Sequence, residues 1–241
     1  MNKDNLFYED SEVLINSSKI SEKREISKNI SITKIDLTKE EGIKINRPKG
    51  LYTTIFYNND AVKDEIEKLI ELTTNSIKES LEYLKINKKN KILFAGIGNK
   101  NLSVDKLGYL LIDKIVVSGN THKIYKDIKA FTNIETTDFI KSLVKSLGID
   151  LVIVVDSLKA ENIERLGTTI QISTAGLKPL KNKEISKKTV SAKVISIGVP
   201  TIIDMKSLSK DNPSILVTTD KVDEIVENNS SILSIAINRL F

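Results

Sequence analysis

Two aspartates stand where an acid–base reaction could be run. Asp105 follows the run Ile92-Leu93-Phe94-Ala95-Gly96-Ile97-Gly98-Asn99-Lys100-Asn101-Leu102-Ser103-Val104, which reads as a buried strand, a tight turn and a carboxylate in the first turn of a helix. Asp156 ends the aliphatic run Leu151-Val152-Ile153-Val154-Val155, a second strand delivering an acid at its C-terminal end. In open α/β sheets that edge is where ligands bind, so both acids point to one rim. Two carboxyls sharing a proton supply what amide hydrolysis needs. The ionised one takes a proton from water and the protonated one donates to the scissile carbonyl or the leaving amine. Such a pair titrates as a unit and needs no metal, cofactor or covalent intermediate.

Each acid also has a plainer reading. Asp105 fits the ordinary preference for an acid near a helix N-terminus. Asp156 fits a structural carboxylate hydrogen-bonded to loop amides, although burying it beside an aliphatic strand is costly without partners. Gly96 and Gly98 suggest a dinucleotide fingerprint, but its third glycine would fall at Asn101, and no Gly-Lys-Ser/Thr follows to make a phosphate loop. The glycines instead allow a sharp turn, with Asn99 and Ser103 expected to satisfy amides at the helix start, so that the turn serves to place Asp105. The single histidine, His122, reads as a loop residue on the surface. A serine triad would depend on it, and no G-x-S-x-G elbow exists. Glu135 and Asp138 read as acids at a helix N-terminus, with Asn133 or Thr136 near the cap, and Asp204 ends a strand at a turn.

The elements that position these residues alternate. Ile30-Ser31-Ile32-Thr33 and Leu51 to Tyr57 are rich in β-formers around a turn at Asn46 to Gly50. Asn59 or Asp60 is expected to cap a long helix through about Leu84. Then follow a strand at 91–95, a helix at 103–112, a short strand at 114–118, a helix at about 136–147, strands at 150–155, 168–172, 193–198 and 214–218, and a helix at 221–240. This pattern predicts a single-domain α/β fold of three layers, a largely parallel sheet with helices on both faces. Residues 1–28 are polar and read as an arm or pro-segment, leaving 29–241 as the folded domain.

The bulk composition narrows the function. A chain of 241 residues can bury one substantial core. With no Cys, disulfides, thiolate metal sites and a cysteine nucleophile are excluded, which suits a reducing cytoplasm. The N-terminus lacks the apolar core of a signal peptide, and no apolar run reaches the ~18 residues of a membrane span. The net charge of +5 is spread among interspersed charges, aromatics are 5% and Trp is absent, so nucleic acid is not an expected partner. Lys178, Lys181, Lys183, Lys187 and Lys188 surround Glu184 and read as a solvated loop.

Several segments in order, GIGNKNLSVDKLG (Gly96 to Gly108), NIETTDFI (Asn133 to Ile140), VVDSLKAENIERLGTTIQIS (Val154 to Ser173) and IGVPTIID (Ile197 to Asp204), resemble the core of the spore germination endopeptidases. Ile32 to Ile55 and Ile215 to Phe241 read like the same family, so the resemblance covers about four-fifths of the chain. It implies an endopeptidase, dependent on no cofactor, that degrades small acid-soluble spore proteins at germination in the spore core or forespore. A zymogen and a homotetramer are implied as well. Asp105 and Asp156 fall on the two aspartates of the family's atypical dyad, and Gly96, Gly98, Asn99, Glu135 and Asp204 would support them. The chain departs from the family in three places. Phe7 to Leu14 replaces an Arg-Thr-Asp-Leu-Ala-like segment, the connection after Val116-Val117-Ser118 is short, and Thr174 stands where an Asp is usual. The alternatives are a silent relative that binds spore proteins uncut and, because GxGN before an acid is also similar to the hydrogenase maturation endopeptidases, a peptidase that reads a metal through His122.

Overall fold

The computed structural model describes residues 22–126, 133–178, 183–209 and 211–241; the segment Phe7 to Leu14, the start of the expected arm and Lys181 lie outside them. Nine strands among the described residues form one sheet in the order β1-β2-β3-β7-β8-β6-β4-β5, with β9 added to β8. The strands are β1 Glu22–Ser27, β2 Ile30–Leu37, β3 Gly50–Tyr57, β4 Ile92–Ile97, β5 Thr121–Lys126, β6 Leu151–Ala160, β7 Thr169–Ser173, β8 Lys193–Asp204 and β9 Leu216–Val217. The helices are α1 Lys39–Ile45, α2 Asn59–Asp64, α3 Ile66–Tyr83, α4 Leu107–Lys114, α5 Thr136–Leu147, α6 Lys187–Val190, α7 Met205–Leu208 and α8 Val222–Asn238.

The sheet is mixed rather than largely parallel. β8, β6, β4 and β5 run parallel, whereas β1, β2, β3, β7 and β9 join by antiparallel pairings. A parallel neighbour requires a crossover of a dozen or more residues, usually a helix. α4 and α5 supply such crossovers between β4, β5 and β6. The connection from Glu161 to Thr168 holds only a 3-10 turn at Ile163–Arg165, and β7 comes back antiparallel to β8.

Alternation along the parallel strands builds two cores, one on each face. Ile92 and Phe94 of β4 with Ile153 and Val155 of β6 pack under α3, α4 and α8. Leu93, Ala95 and Ile97 with Val152, Val154 and Leu158 pack against Ile140 and Val144 of α5 and Val190 of α6. Helices therefore cover both faces, as expected, and strands buried on both faces read as unbroken aliphatic runs.

Four local expectations change. Asn58, not Asn59 or Asp60, is the N-cap of α2, its Oδ1 accepting from the Ala61 amide at 3.0 Å. The long helix is broken at Glu65, whose carboxylate accepts from Ser27 and Asn29 in the β1–β2 turn. Glu22–Ser27, inside the expected arm, is the edge strand β1. The expected strand at 114–118 is absent, because Val116 and Val117 are exposed beyond the end of α4 while the strand that pairs with β4 is Thr121–Lys126, two of its six residues lysine.

Candidate active site

The turn after β4 is built to hold one carboxylate. Gly98 has φ +120, and a methyl there would stand 2.0 Å from the Asp105 carbonyl oxygen and 3.0 Å from its Oδ1. The Asn99 amide donates to both the Asp105 carbonyl oxygen and Oδ2, each at 3.0 Å, and the Asp105 amide donates to the Leu102 carbonyl at 2.8 Å. Asp105 thus closes the loop on itself, at the end of a 3-10 turn, Ser103–Asp105, that precedes α4 rather than inside a helix running from 103. Asn99 Oδ1 accepts from the Asn101 amide at 2.9 Å, and Ser103 hydrogen-bonds the Asp223 carboxylate.

Close approach of backbones fixes the turn against the sheet. A methyl at Gly96 would lie 2.2 Å from the Gly108 carbonyl oxygen, and one at Gly108 would lie 2.3 Å from the Ile97 carbonyl oxygen and 2.8 Å from that of Val155. The first turn of α4 therefore rests directly on β4 and β6. Two further clamps come from residues whose types give no signal in the sequence. Tyr125 of β5 donates from its hydroxyl to the Gly98 carbonyl at 3.2 Å and accepts from the Lys100 amide at 2.9 Å. Thr201 of β8 donates to the Val104 carbonyl at 2.6 Å.

Asp156 is reached from the other strand. The ladder between β4 and β6 ends at Gly96 and Val155, whereas β6 stays paired with β8, Asp156 opposite Gly198. Asp156 is thus the first residue of β6 past the end of the β4 ladder, at the rim where β4 turns away into the loop of Asp105. Asp156 is 5% exposed. Burial first, and the nearby Asp105 second, push its carboxyl well above the usual carboxylate range, against a smaller opposing effect of the Ser157 amide that donates to Oδ1 at 2.9 Å. The structure therefore places Asp156 near Asp105, and burial with that neighbouring acid favours the protonated form of Asp156.

The other sequence candidates are placed differently. Glu135 occupies the N-cap position of α5 without a capping side-chain bond, and Asp138 in the first turn pairs with Lys183 at 3.0 Å; since α5 crosses from β5 to β6, its N-terminus lies at the carboxyl rim of the parallel strands. Asp204 ends β8 and caps α7, accepting from the Lys206 amide and the Ser214 hydroxyl, which hold its carboxyl below its ordinary value. It lies about 20 Å beyond Gly198 at ~3.3 Å per residue of strand, so it does not join the pair. His122 is on β5 rather than in a loop, opposite Leu93 near the start of β4, roughly 15 Å along the strand from the turn. Among the described residues no group of three or more His, Asp or Glu could hold a metal ion.

Asp156 does not end a strand at 150–155 as expected: β6 runs on to Ala160 along β8, so the acid stands midway along a central parallel strand of a mixed α/β sheet, at the level where β4 ends. The family model described as germination protease matches residues 2–240, and the chain belongs to that family. It is 33% identical over 206 residues to the germination protease of Bacillus subtilis (strain 168), covering 76% of this chain and 55% of the relative. To that of Oceanobacillus iheyensis it is 30% identical over 225 residues, 83% of this chain and 58% of the relative. To that of Clostridium perfringens (strain ATCC 13124) it is 28% identical over 218 residues, 80% and 65% respectively. The chain thus spans between about half and two-thirds of the length of these curated relatives.

Proposed function

We propose that this chain is an endopeptidase that hydrolyses small acid-soluble spore proteins during germination, with Asp105 and Asp156 as its acid–base pair. The observation that carries the reading is the asymmetry of the two acids. Asp156 is buried and raised by its surroundings, while Asp105 accepts a backbone amide at its Oδ2, a bond that favours the charged form. Asp105 takes a proton from a water as its oxygen attacks the scissile carbonyl carbon. Asp156 gives its proton to the carbonyl oxygen. Collapse of the tetrahedral intermediate returns a proton to the leaving amine and breaks the carbon–nitrogen bond. A spore-core location, zymogen control and a homotetramer belong to the same reading.

Incubation of the purified chain with a recombinant small acid-soluble spore protein tests the proposal, with products read by mass spectrometry. Discrete internal cleavage fragments are the expected result. Intact spore protein co-eluting with the chain would make it a binding protein and overturn the enzymatic reading, as would a spore protein that neither breaks nor binds.

A further inference from the structure

The turn that carries Asp105 hangs on a single peptide group. The carbonyl of Gly98 and the amide of Asn99 are the two ends of one trans peptide plane and point in opposite directions. At the amide end, Asn99 donates to the Asp105 carbonyl oxygen and to its Oδ2, each at 3.0 Å. At the carbonyl end stands Tyr125 of β5, whose hydroxyl donates to the Gly98 oxygen at 3.2 Å and accepts from the Lys100 amide at 2.9 Å. The tyrosine is itself fixed in place. It pairs with Gly96 of β4, and its ring meets that of Tyr109, in the first turn of α4, edge to face with 4.7 Å between centroids.

The local sequence leaves the orientation of this peptide open. Rotating the plane alters ψ of Gly98 and φ of Asn99; glycine accepts either orientation, and asparagine tolerates left-handed backbone better than most residues. The rotated form would aim a carbonyl oxygen at the Asp105 carboxylate, where the observed form aims an N–H. A hydroxyl donating to the Gly98 oxygen favours the observed form, and by polarising the peptide it strengthens the N–H at the other end. We infer, on the dyad reading above, that Tyr125 is a positioning residue for hydrolysis: through the Gly98–Asn99 peptide its hydroxyl keeps the Asp105 carboxylate ionised and oriented toward the attacking water. Tyr125 itself transfers no proton and acts only through that peptide.

Tyr125→Phe keeps the ring against Tyr109 and removes only the hydroxyl. The charged groups around Asp105 stay as they are: Asp156 on β6, Lys100 and Lys106 in the turn, and Asp223 of α8, which pairs with Lys106. Two measurements test the inference on the parent, Tyr125→Phe, Asp105→Asn and the two changes combined, with melts confirming that each is folded. One is an NMR titration of the aspartate carboxyls, and the other is kcat and KM on the spore protein across pH. Losing a hydrogen bond to the charged form raises a carboxyl pKa, so in Tyr125→Phe the lower apparent pKa of the pair should rise, and the acidic limb of kcat/KM should move to higher pH with it. At the optimum kcat should fall about 10- to 10²-fold with KM unchanged, and in the Asp105→Asn background the same substitution should cost nothing further. An unchanged lower pKa, or a loss of equal size in the Asp105→Asn background, would overturn the inference, since either separates the hydroxyl from the carboxylate and assigns Tyr125 to packing. Full activity in folded Asp105→Asn would instead overturn the dyad reading, on which the carboxyl titration does not depend.

Discussion

Asp156 is itself buried on a strand of buried aliphatic residues, and the fold bears the cost of that carboxyl through linkage to pH. A carboxyl raised in the folded state holds its proton where the unfolded chain has released it, so the native state binds more protons between the two pKa values and stability falls as pH rises through that window. The penalty starts near the unfolded value, ~3.9, and is complete once pH exceeds the raised folded value. Asp156→Asn removes the titration. The expected outcome is a higher Tm than the parent at pH 7 and convergence of the two toward pH 4 in thermal melts across that range. A variant that melts below the parent at pH 7 would show that the carboxylate makes a stabilising interaction there. At this scale the sequence was informative, since an acid ending five aliphatic residues announces itself. Tyr125 and Thr201 did not, because a tyrosine on a strand and a threonine after a proline are unremarkable until tertiary structure brings them to one turn.

At the scale of the element, the decisive piece is the turn from Gly98 to Asp105. The Asn99 amide is spent on the Asp105 carbonyl and carboxyl oxygens, and the turn is held from outside by Tyr125 and Thr201. Gly98→Ala would place a side chain at φ +120 and a methyl 2.0 Å from the Asp105 carbonyl oxygen. Strain of that kind costs on the order of 1–3 kcal/mol, and relieving it moves Asp105. The substitution is expected to lower stability by about that amount in urea unfolding and to lower spore-protein cleavage by more than the melt accounts for, because a small displacement of a reacting group is costly in rate. Retention of full activity would mean that the turn does not position Asp105. The glycines were legible as a turn, and the surrounding strands as strands. The exact start of α4, the break at Glu65 and the identity of β5 were not. Those depend on a carboxylate reaching a distant turn, or on which of two short segments finds a strand to pair with, and neither is written in local propensity.

For the whole molecule, the mixed sheet explains how acids so far apart in sequence meet. β4 and β6 are parallel neighbours, and because β4 ends at the level of Val155 while β6 continues, Asp156 in the middle of β6 is left beside the loop of Asp105. That convergence could be read from the sequence once both strands were recognised as parallel. The antiparallel half, β1 to β3 with β7 and β9, could not, because hydrophobic pattern identifies strands but not the direction in which a distant partner runs. The central claim is that the two carboxyls act as one unit in peptide hydrolysis. Single-turnover cleavage of purified spore protein by Asp105→Asn, Asp156→Asn and the double variant, with melts confirming that each is folded, tests it most directly. The account predicts that each single change slows cleavage by about 10²–10⁴-fold and that the double change adds little further; a folded single variant that cuts near the parent rate, or losses that multiply in the double variant, would contradict it.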